Sequence, residues 1–431
     1  MSNKLWLTLI FCAVFGLPLI GQSKRPFRQL ATQKVNQQLR VQNPEMIKEQ
    51  ASIERYLQSF KQVGQVKPRV IPIVFHVIYS SDKERISEDQ IYSQLEALNR
   101  DFNHQVKTIN HPAERLEGFT DKKPERIDIT FCLAEVKIKG NKSTGVEYVS
   151  TDVKHWQADQ QIKYKRTGGA DAYQPDKYLN IWIGAFGDSV SGFAQMPGGP
   201  SATDGIVIDY RFFGIGGSAV APYDQGKTLT HLVGNYLGLN DLWDEFNPCS
   251  DDGVFDTPLH NAPNYGCPTY KHLSLCSNEL PVEMTMNFMD NTDDACMHMF
   301  TYGQMVRIHA VLGPKGPRHK LTTGRSKCVT TESLIALEFR SGSSATFTSS
   351  ISAPSISIVP NPANDQVNIL LDNYEKAATI FIYNNLGQVL YQSKMTSGQL
   401  RLNTNTWKGG VYFLHAQLGV DKLTQKFVIS H

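Results

Sequence analysis

Three scarcities narrow the reading of this chain. Its charge is almost balanced, with 43 Lys and Arg against 41 Asp and Glu and a formal net charge of +2. That removes the electrostatic case for nucleic acid or an anionic membrane surface as partner. Basic residues such as Lys122, Lys123, Arg126, Lys137 and Lys139 are interleaved with acids and read as a solvated face. Beyond residue 20 no apolar run approaches the roughly 20 residues that a spanning helix needs. Cysteine is sparse, seven in 431 residues, and no two stand in the C-x2-C spacing that zinc knuckles prefer. No repeat of solenoid period is present.

At the N-terminus, Lys4 precedes an apolar run from Leu5 to Ile20, followed by Gly21-Gln22-Ser23. A charged start, a short apolar core and small residues after it predict a secretory signal over residues 1–21. A transmembrane anchor is the competing reading, and the run is too short for it. Export changes how the cysteines read. Cys12 leaves with the signal, and Cys132, Cys249, Cys267, Cys276, Cys296 and Cys328 remain. An even number in an oxidising compartment predicts disulfides, with the pairing left open by the sequence.

Apolar content of 41% and this length suit two or three domains. Residues 22–66 are polar and rich in Gln, Lys and Arg, with a helical stretch over Ile47–Val63, and read as a pro-segment or N-terminal extension. A globular domain is expected over residues 67–328. Arg69–Tyr79 (RVIPIVFHVIY) is β-branched and predicts a buried strand. Ser87 and Gln90 form a capping-box pattern opening a helix whose Ile91, Leu95, Leu98 and Phe102 share a face. Strands are expected over Ile127–Ile138 and Tyr178–Phe186, giving a mixed α/β (α+β) sheet domain. Residues 329–355 are Ser-rich and read as a linker. From residue 356 to 431 the pattern is all-β: Val367–Leu371, Ala378–Tyr383, Gln388–Ser393, Gly410–Gln417 and Gln425–Ser430 are strand-like, with turns at Asn384–Gly387 and Leu418–Asp421. This suits a small Ig-like β-sandwich.

Thr228–Leu239 (TLTHLVGNYLGL) carries an apolar helical face of Leu229, Leu232, Val233, Tyr236 and Leu237, with Gly238 where a helix would end. Alone, this is a buried helix with one core histidine. Extended to Trp243 (TLTHLVGNYLGLNDLW), it resembles the metzincin zinc helix H-E-x-x-H-x-x-G-x-x-H. The flanks resemble the pappalysin family: GFAQMPGG at 192–199 with Thr203-Asp204-Gly205, DDGVFDTP at 251–258, Gly266-Cys267-Pro268, NFMD at 287–290 and DDACMHMFTYGQ at 293–304. The resemblance covers roughly residues 68–325.

Set against that family's pattern, His231 keeps the first ligand position, but Leu232 stands at the general-base Glu. Asn235 replaces the second His, and Asp241 the third. Gly238 is kept, Met289 occupies the Met-turn, and Asn291 sits where the family has a tyrosine. A catalytic zinc takes three protein ligands and a water, and an amide oxygen is a poor match beside imidazole. This set is expected to hold zinc weakly or not at all. Leu232 cannot accept the proton of an attacking water, a loss of roughly 10²–10⁴-fold in rate. The expectation is therefore an exported homologue without the chemistry. It keeps a peptide-binding cleft, with strand addition at Gly192–Pro197, and acts as decoy, inhibitor or scaffold. The alternative is an active zinc endopeptidase in which His231 and Asp241 hold metal and Asp244 or Glu245 serves as base.

The resemblance also implies disulfides Cys249–Cys276 and Cys267–Cys296, and a calcium site with Asp252, the Val254 carbonyl and Thr257 as donors. Cys132 and Cys328 are left over. The C-terminal stretch resembles the type A sorting domain of the type IX secretion system, through Pro360-Asn361-Pro362-Ala363, Tyr383–Gly387, Trp407–Tyr412 and Lys426–Ile429. It implies export to the cell surface or medium with that machinery as partner. An adhesive or carbohydrate-binding β-domain is the plainer alternative.

Overall fold

The structure, a computed structural model, describes residues 28–61, 67–103, 125–138, 141–187, 190–269, 271–323, 328–329, 355–359, 363–372, 378–384, 389–395, 399–418 and 421–430. The expected signal, nearly all of the Ser-rich linker and the turns centred on 385–388 and 419–420 lie outside them. The chain divides into two compact units, residues 1–340 and 341–431.

The first unit begins with two helices, α1 (Thr32–Gln42) and α2 (Glu45–Ser59). β1 (Arg69–Tyr79) follows, then α3 (Glu88–Phe102). Next come β2 (Ile129–Ala134), β3 (Val136–Ile138), β4 (Asn141–Ser143), β5 (Val146–Ser150), β6 (Leu179–Gly184), β7 (Gly192–Ala194) and β8 (Ile206–Asp209). α4 (Lys227–Tyr236), α5 (Tyr302–Val311) and β9 (Cys328–Val329) complete it.

The main sheet runs β7-β8-β6-β1-β2-β9, with β5 also on β1. β1 is parallel to β2, β5 and β6, and β6 to β8, while β7 is antiparallel to β8. β1 reads as a near-continuous apolar run because it is central and covered on both faces. The predicted strand over 127–138 is broken at Glu135 into β2 and β3.

α3 starts at Ser87, whose hydroxyl accepts from Gln90 N. The expected box is not completed, because Gln90 Oε1 accepts instead from Ser218 N at 3.1 Å, while its Nε2 donates to Phe213 O at 2.8 Å. A full box forms at α5, where Thr301 and Gln304 satisfy one another's backbone N–H groups. The apolar faces of α3 and α4 meet β1 and β6 in one large core. The N-terminal helices are integral to a second core: Ala31, Val35, Leu39 and Met46 pack with Trp156, Trp182, Phe186, Phe193 and Val207. Burying Val35, Leu39 and Met46 contributes about 1.5–3 kcal/mol each.

Three disulfides join Cys132 to Cys328, Cys249 to Cys276 and Cys267 to Cys296. The last two tie the irregular segment between α4 and α5, each closing a loop that is worth about 3–4 kcal/mol in the chain-entropy account.

The second unit consists of antiparallel strands: β10 (Ser355–Val359), β11 (Gln366–Asp372), β12 (Ala378–Tyr383), β13 (Val389–Met395), β14 (Gln399–Asn403), β15 (Gly410–Leu418) and β16 (Asp421–Ile429). They form the sheets β10-β11-β14 and β13-β12-β15-β16, which share one apolar core including Val367, Ile369, Ile380, Leu414 and Phe427. β10 and β14 are short strands that the sequence pattern did not flag.

Candidate active-site cleft

The cleft of the first unit is built by α4, the β7 edge and the segment from Met284 to Asp294. Gly238, with φ of 87°, ends α4 in the left-handed conformation and turns the chain back toward Asp241. Met289 lies buried beneath the helix. A Cβ on Gly234 would stand 2.5 Å from its sulfur, so a larger residue there would displace the Met289 side chain.

His231, Asn235 and Asp241 are brought together, and they bond to one another. His231 Nε2 lies 2.8 Å from Asp241 Oδ1. Asn235 Nδ2 donates to the same oxygen at 2.8 Å and to Leu239 O at 3.2 Å. His231 Nδ1 faces the carbonyl oxygens of Phe288 at 2.9 Å and Asp290 at 3.2 Å, so it carries a hydrogen. Asp241 Oδ1 thus faces both His231 Nε2 and Asn235 Nδ2. Leu232 is fully buried in the main core and reaches toward the β7 edge at Gly192. Asp244 Oδ1 caps the following turn through Phe246 N and Asn247 N, and burial pushes the Glu245 carboxyl up, reinforced by the Asp241 and Asp244 charges.

Residues 28–36 lie along this cleft, which the sequence did not foretell. Arg28 is fully buried. Its guanidinium donates to Asn291 Oδ1 at 2.9 Å, Asp294 Oδ1 at 3.1 Å, Thr228 Oγ1 at 3.4 Å and the Thr292 carbonyl, and it stacks over Tyr223. Burial raises the Asp294 carboxyl, while Arg28 and the N–H groups of Gln225 and Lys227 pull it down. Asn291 Nδ2 donates back to Arg28 O at 3.3 Å. Thr32 Oγ1 donates to Asn235 Oδ1 at 3.0 Å, and Gln33 Nε2 to Asp241 Oδ2 at 3.1 Å.

The same segment covers the β7 edge. Leu30 bridges Gly192 in parallel. Ser191 N donates to Gln29 O at 2.8 Å and Ala31 N to Gly192 O at 3.0 Å. Ala194 N donates to Thr32 Oγ1, Asn36 Nδ2 to Ala194 O, Met196 N to Asn36 Oδ1 and Gln50 Nε2 to Pro197 O. The expectation of a free edge at Gly192–Pro197 is corrected: the chain's own N-terminal segment occupies it.

The zinc test therefore fails on donor chemistry. His231 offers one imidazole nitrogen and Asn235 only a neutral amide oxygen that already accepts from Thr32, while the Asp241 oxygen facing His231 also accepts from Asn235, which leaves fewer than the three good ligands a catalytic zinc takes. Among the described residues no three His, Cys, Asp or Glu side chains group to hold a metal.

The loop at Asp252 differs. Its Oδ1 accepts from Val254 N at 3.1 Å and Thr257 Oγ1 at 2.7 Å, and Thr257 Oγ1 lies 2.9 Å from Val254 O. One hydroxyl hydrogen cannot serve both oxygens. Asp252 Oδ2 is buried without a partner, and burial pushes this carboxyl up to about 7. The orphaned Oδ2, with the Val254 carbonyl and the Thr257 hydroxyl beside it, is an oxygen set that a hard cation would fit.

The family model described as "Pregnancy-associated plasma protein-A" matches residues 163–313, and that of the "Secretion system C-terminal sorting domain" matches 357–430. An extracellular metalloprotease of Arthroderma benhamiae is 27% identical over 246 residues, covering 54% of this chain and 69% of its own. Mature mirolysin of Tannerella forsythia, solved with a cleaved peptide, is 36% identical. That match covers 60% of this chain and 97% of its own, with a TM-score of 0.56. A promirolysin point mutant from the same organism is 33% identical. It covers 68% and 97% of the two chains, with a TM-score of 0.62.

Proposed function

The chain belongs to the pappalysin family of metalloproteases and carries a type IX sorting domain, and from that premise we propose that it is a non-catalytic member whose cleft holds a peptide segment rather than cutting one. Its place is outside the cell or on its surface, and the sorting domain implies passage through the type IX machinery. No helix among the described residues is long and apolar enough to cross a membrane.

The observation that carries the reading is the closed hydrogen-bonded set of His231, Asn235 and Asp241. Hydrolysis needs an activated water and a base to take its proton. Leu232 supplies no base, Asn291 no phenol, and the ligand positions are hydrogen-bonded to one another and to residues 32–33. Residues that shape the cleft, Gly238 and Met289, are retained. Such a protein works as a decoy, an inhibitor or a scaffold.

Two further assignments accompany this. Calcium is held by Asp252, the Val254 carbonyl and Thr257, where it would satisfy the orphaned Oδ2 and brace the disulfide-tied segment. The two antiparallel sheets around one core support an Ig-like sandwich for the sorting domain. The test is cleavage of denatured protein by the purified full chain, with and without chelator. No cleavage above a buffer control is expected; chelator-sensitive cleavage would end the proposal.

A further inference from the structure

The replaced positions of the cleft are the positions that grip residues 28–33. Asn235, at a ligand position, accepts from Thr32. Asp241, at another, accepts from Gln33. Asn291, at the tyrosine position, exchanges two hydrogen bonds with Arg28. A histidine pair holding an ion would have no lone pairs to offer Thr32, whereas the Asn291 amide presents an acceptor to Arg28 Nε and a separate donor to the Arg28 carbonyl.

The grip continues beyond the centre. One Thr32 hydroxyl links the β7 edge at Ala194 N to Asn235. Glu54 on α2 makes a two-pronged ion pair with Arg307 of α5, whose Nε donates to Gly238 O. Leu57 is buried against Ala310 and Val311. A segment meant to depart would leave Asp294 without its guanidinium in a fully buried site, which is costly.

We infer that residues 28–59 are a permanent intramolecular ligand of the cleft, retained in the exported protein, with Asn235, Asp241 and Asn291 as its docking contacts. The inference rests on the non-catalytic reading, since an active peptidase must clear its cleft. It also narrows that reading: a decoy or inhibitor needs the cleft free, so the role left is that of a scaffold displaying other surfaces.

The test uses the full chain with a specific protease site inserted between Lys61 and Lys67. After cutting, the N-terminal fragment is expected to co-elute with the remainder in gel filtration, and the two to melt together. Release of the fragment from a remainder that stays folded would overturn the inference. As a second measurement, a labelled peptide of residues 26–37 is added in trans. It should bind the Arg28→Ala chain about tenfold or more tightly than the wild type, whose cleft is filled. Equal affinity for both would also overturn it. Chelator-sensitive peptidase activity in the uncut chain would sink the non-catalytic reading instead, so the two failures are told apart.

Discussion

Two polar corners of the same unit answer differently to the question of a missing ion. At His231, Asn235 and Asp241 the side chains bond one another, and Thr32 and Gln33 donate to Asn235 Oδ1 and Asp241 Oδ2. At Asp252 the Thr257 hydroxyl faces two acceptor oxygens, and the buried Oδ2 has no hydrogen-bond partner. On the reading proposed above, the first corner needs no metal, and the second has room for a cation. The difference lies in which buried polar atoms have partners, rather than in the presence of ligand-type residues.

The strongest way to break this contrast is to reverse the first corner. Leu232→Glu, Asn235→His and Asp241→His together should create zinc affinity of micromolar order, about 8 kcal/mol of binding, read by calorimetric titration. A well-folded triple variant that binds no metal would mean that these positions do not correspond to the zinc helix. Next in size, Arg28→Ala leaves Asp294 buried and unpaired. It should cost about 3–5 kcal/mol of stability in the first unit, measured by denaturant titration.

The second corner is sharpened by adding its ion. Calcium at a hundredfold excess over Kd should stabilise the unit by about 2.7 kcal/mol, read as a rise in Tm. Asp252→Ala should abolish the rise. The smallest effect concerns the link between corner and segment. Thr32→Val removes the donor to Asn235 and the acceptor for Ala194 N, and should cost about 1–2 kcal/mol.

Much of this was legible in the sequence, for reasons that name themselves residue by residue. β1 announces itself by β-branched residues, α3 by Ser87 and its apolar face, and α4 by the spacing from His231 to Gly238. The altered centre could be read because each chemical role is tied to one position. The occupant could not. Val35 and Leu39 are sparse apolar points among Gln, Lys and Arg, so α1 carries little helical signal. Arg28 meets Asp294 across 266 positions, and Cys132 meets Cys328 across 196; local pattern says nothing about partners so distant. Asp294 did lie inside a recognised stretch, and a buried acid there was a signal that some cation must reach it.

The most direct measurement is the zinc content of the intact, purified full-length protein after equilibrium dialysis against zinc at neutral pH. A self-satisfied set of His231, Asn235 and Asp241 predicts far less than one ion per chain, unchanged in an Asp241→Asn variant. One tightly held zinc per wild-type chain, lost in that variant, would contradict it.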